Sequence, residues 1–288
     1  MTTERALPPP LKLSVCIITY RRPALLQKCL NCIAPGHQTL DPSFYEVIVS
    51  DDCPEQSARL VVQASGFAKW IQGPSSGIAA NRNNAASEAT GDWIVFVDDD
   101  ELPALSWLAA IHSEASAGRW DVIEGRVDPL DYPDSIFWYA PTVRAGGLFC
   151  TANLAMKREL FTSLGGFDTR LKVSHEDIDL GNRIQKAGFR STFLDTAVVI
   201  HPARKMNLTS VFQKAIQQQC QSYLLPSLNL RTGWRSAPII FLWSLKFLVR
   251  SFRIQASVVG FKRWKRFAME TVIRTICCPV ACLRLILC

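Results

Sequence analysis

Acidic residues all but vanish from the last third of the chain. Beyond residue 195 there are fourteen Lys/Arg and one acid, Glu270, for a net charge of +13. Residues 1–195 hold eighteen Lys/Arg against twenty-four Asp/Glu, so the overall +7 of the 288 residues conceals two electrostatically different regions. Long hydrophobic runs are missing too. Nowhere in "APIIFLWSLKFLVRSFRIQASVVG" do about 18 apolar residues follow one another, which argues against a clean transmembrane helix there. The opening "MTTERALPPP" has no apolar stretch of the kind a secretory signal requires, so none is expected. Of the ten cysteines, Cys277, Cys278, Cys282 and Cys288 cluster without histidine partners or paired C-x-x-C spacing. That argues against zinc and for buried thiols in a reducing, cytoplasmic compartment. No internal repeat is found.

What is present reads as a folded α/β protein. With 48% hydrophobic and 20% charged residues, the chain is long enough for one large or two ordinary domains with a real core. "LSVCIITY", "YEVIVSDDC", "KWIQG" and "DWIVFVDDD" are short apolar runs of strand type. Between them, "RRPALLQKCLNCI" reads as a helix opened by Pro23, with Leu25, Leu26, Cys29, Leu30 and Ile33 on one face. "SGIAANRNNAASEATG" reads as another, stopped at Gly91. Such alternation predicts a mainly parallel sheet covered by helices on both faces. Ligands of these sheets sit beyond the carboxyl ends of the strands, where Thr19–Arg21, Asp51–Asp52 and Asp98–Asp100 all fall.

Farther on, "DVIEGRV", "LFCTANLAMKREL" and "STFLDTAVVIHP" suggest more strands and a helix, with "GGFD" as a turn. "SHEDIDLGNRIQKAG" predicts a helix with Ser174 as N-cap, Asp177 three residues later and Gly188 at its end. In the basic region a helix is expected from Asn207 to about Leu225. Lys246, Arg250, Arg253 and Ser257 then form one polar stripe on an apolar helix, and "FKRWKRF" adds four cations beside Trp264. Cations with interfacial aromatics suit a helix lying on an anionic membrane surface, the alternative being a core helix with a solvated edge. The wide apolar faces argue against nucleic acid. A protein peripheral to the inner face of a membrane is therefore expected.

"WIVFVDDDEL" carries the strongest chemical signal. Neighbouring carboxylates repel, so three aspartates after a buried run need a reason. On an extended backbone alternate side chains point the same way, which would let Asp98 and Asp100 converge on one cation while Asp99 faces elsewhere. Hard Mg²⁺ or Mn²⁺ takes one or two carboxylates and fills its shell with water and substrate phosphates.

Six segments in order resemble an inverting family 2 glycosyltransferase with the GT-A fold, a Rossmann-like, mainly parallel sheet flanked by helices. They are "SVCIITYRRPALLQKCL", "VIVSDDCP", "GIAANRNNAA", "GDWIVFVDDDE", "GGFD" and "EDIDLGNRIQKAG". The resemblance covers about residues 13–201, two thirds of the chain. It implies an N-terminal tail at 1–11 and a GT-A domain at 12–205, followed by a basic helical region at 206–288. Within the domain, 12–118 would form the nucleotide-sugar half and 119–205 the acceptor half.

The resemblance also implies roles. Thr19, Tyr20 and Arg21 match a loop that wraps the base and phosphates, although the family more often has Asn at Arg21; Tyr20 could instead merely pack. Asp51 matches the acid that accepts from a uracil ring, which favours a UDP-sugar, and Asp52 could cap the following turn. Gly77 would let the backbone approach the nucleotide. Arg82 and Asn83 match an Arg-Asn pair, a surface ion pair being the other reading of Arg82. Asp98 would lie near the ribose and Asp100 would hold a divalent metal, Mn²⁺ or Mg²⁺, on the diphosphate, with Asp99 orienting its neighbours. Asp177 matches the base that deprotonates the acceptor hydroxyl, with Glu176 the second candidate; a helix-capping box is the reading without chemistry. The first turn of a helix would favour an ionised Asp177. His201 stands where some relatives place a further metal or phosphate ligand, or is structural. Thr151 and Asn153 match the segment lining the acceptor site, and Trp138 would stack on a sugar or lie in the core. The implied partners are a nucleotide-sugar donor and a glycan or lipid-linked acceptor. A sugar-phosphate nucleotidyltransferase would open with a Gly-rich loop that "TYRRPALL" lacks, and a non-catalytic glycan-binding scaffold would not need the metal and base positions.

Overall fold

Seven consecutive residues with no exposed member, Leu13–Thr19, form β1 at the middle of the molecule. Burial on both faces explains why this run is continuously apolar rather than alternating. In the computed structural model residues 11–130, 137–172, 174–207 and 210–211 are described. The basic region beyond residue 211, with its expected helices and membrane contact, lies outside them. Among the described residues no helix is long and apolar enough to cross a membrane.

After β1 come α1 (Pro23–Ile33), β2 (Tyr45–Asp51), α2 (Arg59–Ser65), β3 (Ala68–Gln72), α3 (Ile78–Ser87) and β4 (Trp93–Asp98). Next are β5 (Leu102–Pro103), α4 (Trp107–Ser116), β6 (Val122–Leu130), β7 (Trp138–Tyr139) and β8 (Leu154–Lys157). The described elements end with α5 (Arg158–Ser163), α6 (Glu176–Lys186), β9 (Ser191–Pro202) and β10 (Arg204–Lys205). Eight strands make one sheet in the order β3-β2-β1-β4-β8-β6-β9-β5, while β10 pairs with β7 as a separate ribbon. β3, β2, β1 and β4 run parallel, β6 runs parallel to β9, and β8 lies antiparallel between β4 and β6.

One core lies on each face of the sheet. Leu13, Val15 and Ile17 of β1 pack with Leu26, Leu30 and Ile33 of α1 and with Trp107, Leu108 and Ile111 of α4. On the other face Cys16, Ile48 and Phe96 meet Ala79 and Ala85 of α3 and Leu180 and Ile184 of α6. Two expected boundaries move. α3 ends at Ser87 rather than at Gly91, whose Cβ would lie 2.7 Å from the Lys12 carbonyl, so this glycine serves a close backbone approach. α6 begins at Glu176 behind His175, which has φ +72, and Ser174 Oγ lies 2.9 Å from the His175 ring. The expected Ser174 cap is therefore absent, and with it the capping box.

The order of the strands positions the site. From β1 the chain winds outward to β2 and β3, then crosses back to β4 on the other side of β1. Such a reversal opens a crevice at the carboxyl ends of the two strands. Thr19 pairs with Asp51, and Ile18 with Asp98, so the three clusters expected at strand ends share one edge.

Candidate active site

The acids after β4 separate at once, because β4 ends at Asp98 and residues 99–100 form a turn. The alternation expected to join Asp98 with Asp100 therefore stops before it reaches Asp100. Asp98 Oδ1 takes a 2.6 Å hydrogen bond from Arg82 Nη2. Burial works to raise the Asp98 pKa, but the charge and hydrogen bond of Arg82 bring it below the ordinary carboxylate value. Asp99 is fully buried, accepting from Thr19 Oγ1 at 2.6 Å and facing Arg22 Nη2 at 2.6 Å. Burial pushes its pKa up to about 7. Thr19 and Asp99 thus brace the ends of β1 and β4 from within.

Asp100 is the acid left at the mouth. Its Oδ2 accepts from Arg22 Nη1 at 2.9 Å and lies 3.8 Å from Arg204 Nη1, while Oδ1 lies 3.8 Å from His201 Nε2. Arg204 also stacks on Tyr139, and that ring meets His201 edge-on at 6.5 Å. Trp138 is half-buried beside Tyr139 on the same ribbon. His201, from the end of β9, is therefore joined to the acids of β4. Asp100, Glu101 and His201 offer ligand atoms all within 4.8 Å of one another. Glu101 is fully buried, and neither carboxylate oxygen has a hydrogen-bond partner among the described residues. Burial, then the charge of the three aspartates, drives its pKa well above the usual range. Oxygen and imidazole donors of this kind fit Mn²⁺ or Mg²⁺ chemically.

Arg82 links this cluster to α6. Buried on α3, it gives Nη2 to Asp98 and Nη1 to Glu176 Oε1 at 2.5 Å. It is no surface pair. Asp177 occupies the second position of α6, its Oδ1 accepting from Ile178 N at 2.8 Å. Burial raises the pKa of Asp177 despite the opposing backbone hydrogen bonds and Arg82, so desolvation overrides the expected effect of the helix N-terminus. Burial likewise pushes Glu176 up to about 7, the charges of Asp177 and Asp98 adding to the rise against Arg82.

Several residues expected to touch ligands are taken up by the fold. Asp51 is fully buried, and its carboxylate accepts from the N–H groups of Cys53 (3.1 Å) and Ala58 (2.8 Å), which holds the turn after β2. Asp52 accepts from Ser75 N at 2.6 Å and Gly77 N at 3.3 Å, so it ties a loop as expected of a turn cap. Gly77, at φ +101, would put a Cβ 2.6 Å from the Lys172 carbonyl, so the close approach it permits is to that backbone. Asn83 gives Nδ2 to Phe167 O and accepts from Phe167 N, closing the "GGFD" turn. Asn153 accepts from Trp107 Nε1 and donates to the carbonyls of Arg126 and Ala197, which occupies its amide inside the protein. Thr151 is buried beside it. Tyr20 is half exposed under the Arg21 guanidinium, and Arg21 pairs with Glu55 at 2.7 Å, away from the acids. Arg22, Glu101 and Arg204 were missed by sequence reasoning. For Arg22 and Glu101 the available signal was adjacency to residues already singled out.

Comparison with known proteins now adds to this geometry. Residues 14–172 match the model of the glycosyl transferase family 2. The chain belongs to this family. It is 26% identical over 220 residues to the O-antigen biosynthesis protein RfbC of Myxococcus xanthus, covering 66% of this chain and 17% of that protein. It is 32% identical over 113 residues to the GalNAc(5)-diNAcBac-PP-undecaprenol beta-1,3-glucosyltransferase of Campylobacter jejuni, covering 37% of this chain and 35% of that protein. The chain thus spans well under half the length of these curated relatives. Among solved structures, the mannosyltransferase PcManGT from Pyrobaculum calidifontis, in complex with GDP-Man and Mn²⁺, aligns with a TM-score of 0.64 at 20% identity, over 95% of this chain and 87% of that one. S. aureus TarS 1–349 in complex with UDP aligns at 0.56 and 17% identity, over 96% of this chain and 83% of that one. These likenesses establish the family 2 member as a GT-A fold, a mixed α/β structure with a mostly parallel sheet between helices.

Proposed function

We propose that this family 2 protein transfers a sugar, with inversion, from a UDP-sugar to a hydroxyl of a polysaccharide or lipid-linked glycan. The observation that carries the reading is the Arg82 bridge, which ties Asp98 at the end of β4 to Glu176, the first residue of α6 and the neighbour of Asp177, through hydrogen bonds of 2.6 and 2.5 Å. A donor diphosphate beside Asp100 would then lie within the same charged network as a carboxylate able to take a proton. Asp177 is the base in this account, because Glu176 is deeply buried and held by Arg82 while Asp177 keeps partial exposure. A raised pKa makes it a stronger base near neutral pH than an ordinary aspartate. Arg22 and Arg204 supply positive charge at the mouth for phosphate oxygens. A divalent cation held at Asp100 and His201 would act as a Lewis acid on the departing nucleoside diphosphate. One base and one displacement give inversion. The Campylobacter relative's name supports a lipid-linked acceptor, and UDP in TarS supports the nucleotide.

The test is a panel of UDP- and GDP-sugars with Mn²⁺, followed by nucleoside diphosphate release and by NMR of the product anomer. Release from a UDP-sugar with an inverted anomeric centre is expected. Turnover confined to GDP-sugars would overturn the nucleotide assignment, a retained anomer would overturn the single displacement, and no turnover with any donor would overturn the reading as a whole.

A further inference from the structure

Glu101 sets an electrostatic problem that the transfer reaction does not resolve. Its side chain is fully buried, its two oxygens lack hydrogen-bond partners among the described residues, and three aspartates precede it. Its Oε1 lies 3.8 Å from His201 Nε2, the same distance that separates this nitrogen from Asp100 Oδ1. His201 Nδ1 is 2.8 Å from the Pro202 carbonyl. A carbonyl can only accept, so the ring carries a proton on Nδ1, and Nε2 is the nitrogen turned toward the two carboxylates. Asp100, Glu101 and His201 thus bring three possible ligand atoms within 4.8 Å of one another.

The neighbouring cations do not fill the gap. Arg22 and Arg204 address Asp100 Oδ2 and leave Oδ1 turned toward the histidine. Arg82 is committed to Asp98 and Glu176. A buried carboxylate without a hydrogen bond is costly to ionise, and a metal ion is one of the few groups that compensates it. Two carboxylate oxygens and one imidazole nitrogen suit Mn²⁺ better than Ca²⁺ or Mg²⁺, which prefer all-oxygen shells. The Nδ1–H contact to a backbone carbonyl is the outer-shell arrangement that orients a metal-bound histidine.

We propose that Glu101 is a metal ligand, and that with Asp100 and His201 it builds a site holding one Mn²⁺ before any nucleotide arrives. The inference rests on the metal-dependent reading above and extends it. That reading needs a cation only in company with the donor's diphosphate, whereas three protein ligands retain one alone. Asp98, expected from the sequence to share the metal, is not among them.

The experiment uses the full chain, stripped with EDTA, desalted and titrated with MnCl₂ in the absence of nucleotide. The EPR signal of free aquo Mn²⁺ is the readout. Wild type should remove one Mn²⁺ per chain, and Glu101→Gln should weaken that binding by roughly 10- to 100-fold or more, as should His201→Gln. Thermal unfolding separates lost ligation from lost folding. Without metal, Glu101→Gln should melt close to the wild-type midpoint, since the amide keeps the shape of the buried carboxyl group; Mn²⁺ should raise the wild-type midpoint and leave the variant's in place. Equal Mn²⁺ affinity in wild type and Glu101→Gln would overturn the ligand role. Mn²⁺ taken up only when UDP is added would overturn the preformed site while leaving the metal-dependent reading intact. No uptake with or without UDP would overturn both.

Discussion

Asp177→Asn is expected to slow sugar transfer by roughly 10²- to 10⁴-fold while nucleotide binding persists, the range in which a positioned general base contributes. The substitution keeps the shape and the Ile178 N–H contact of a residue in the first turn of α6. It removes only the ability to take a proton. The pH dependence follows from the direction of the shifts. Burial raises both acids, Glu176 to about 7, so the wild-type rate should fall as pH drops through a limb lying above the ordinary carboxylate range of about 4. Two coupled acids titrate as a pair, so this limb belongs to both. Nucleoside diphosphate release against pH, with nucleotide affinity measured beside it, checks the assignment. An Asp177→Asn protein that keeps the wild-type rate and acid limb would remove Asp177 from the chemistry.

Arg82→Ala is expected to cost about 3–5 kcal/mol of stability, because deleting one partner of a buried ion pair strands the other. Here one guanidinium serves two carboxylates, at 2.6 Å on Asp98 and 2.5 Å on Glu176, and without it those acids repel across the crevice. Arg82→Lys should recover only part of the loss, since an ammonium cannot fork between two partners. Denaturant unfolding monitored by circular dichroism reads the difference. A loss below about 1 kcal/mol for Arg82→Ala is what an exposed pair would give, and would contradict the buried bridge.

Much of the scaffold was legible because the physics of strands is local. The runs that became β1, β2 and β4 are short, mostly apolar and buried on both faces, β3 at the sheet edge is only partly buried, and each of β1, β2 and β4 ends at a polar residue that marks the site's edge. Side-chain destinations were less legible. Asp51, Gly77, Asn83 and Asn153 are residue types that ligands and backbones use equally well. In this chain the backbone claims them: two N–H groups on Asp51, the Lys172 carbonyl against Gly77, the N–H and carbonyl of Phe167 on Asn83, and two carbonyls with an indole on Asn153. The reach of the arginines turned on one dihedral. Arg21 adopts φ +55 and swings to Glu55, which leaves Arg22, the next residue, to face Asp99 and Asp100. A period-two pattern predicts the reverse pairing of acids from the one observed, because it assumes that the strand continues past Asp98. Long-range partners were the hardest to see. Arg82 and Glu176 are 94 residues apart, and nothing local to either announces the other.

In the proposed reaction the carboxyl ends of β1, β2 and β4 form the transfer centre, with Asp100 at its mouth. The most direct measurement is the rate of nucleoside diphosphate release by wild type and by Asp100→Ala on the donor that wild type prefers, in Mn²⁺ and again in EDTA. The account predicts turnover by wild type in Mn²⁺, its loss in EDTA, and its loss in Asp100→Ala under both conditions. Equal turnover by the two proteins, undiminished by EDTA, would contradict it.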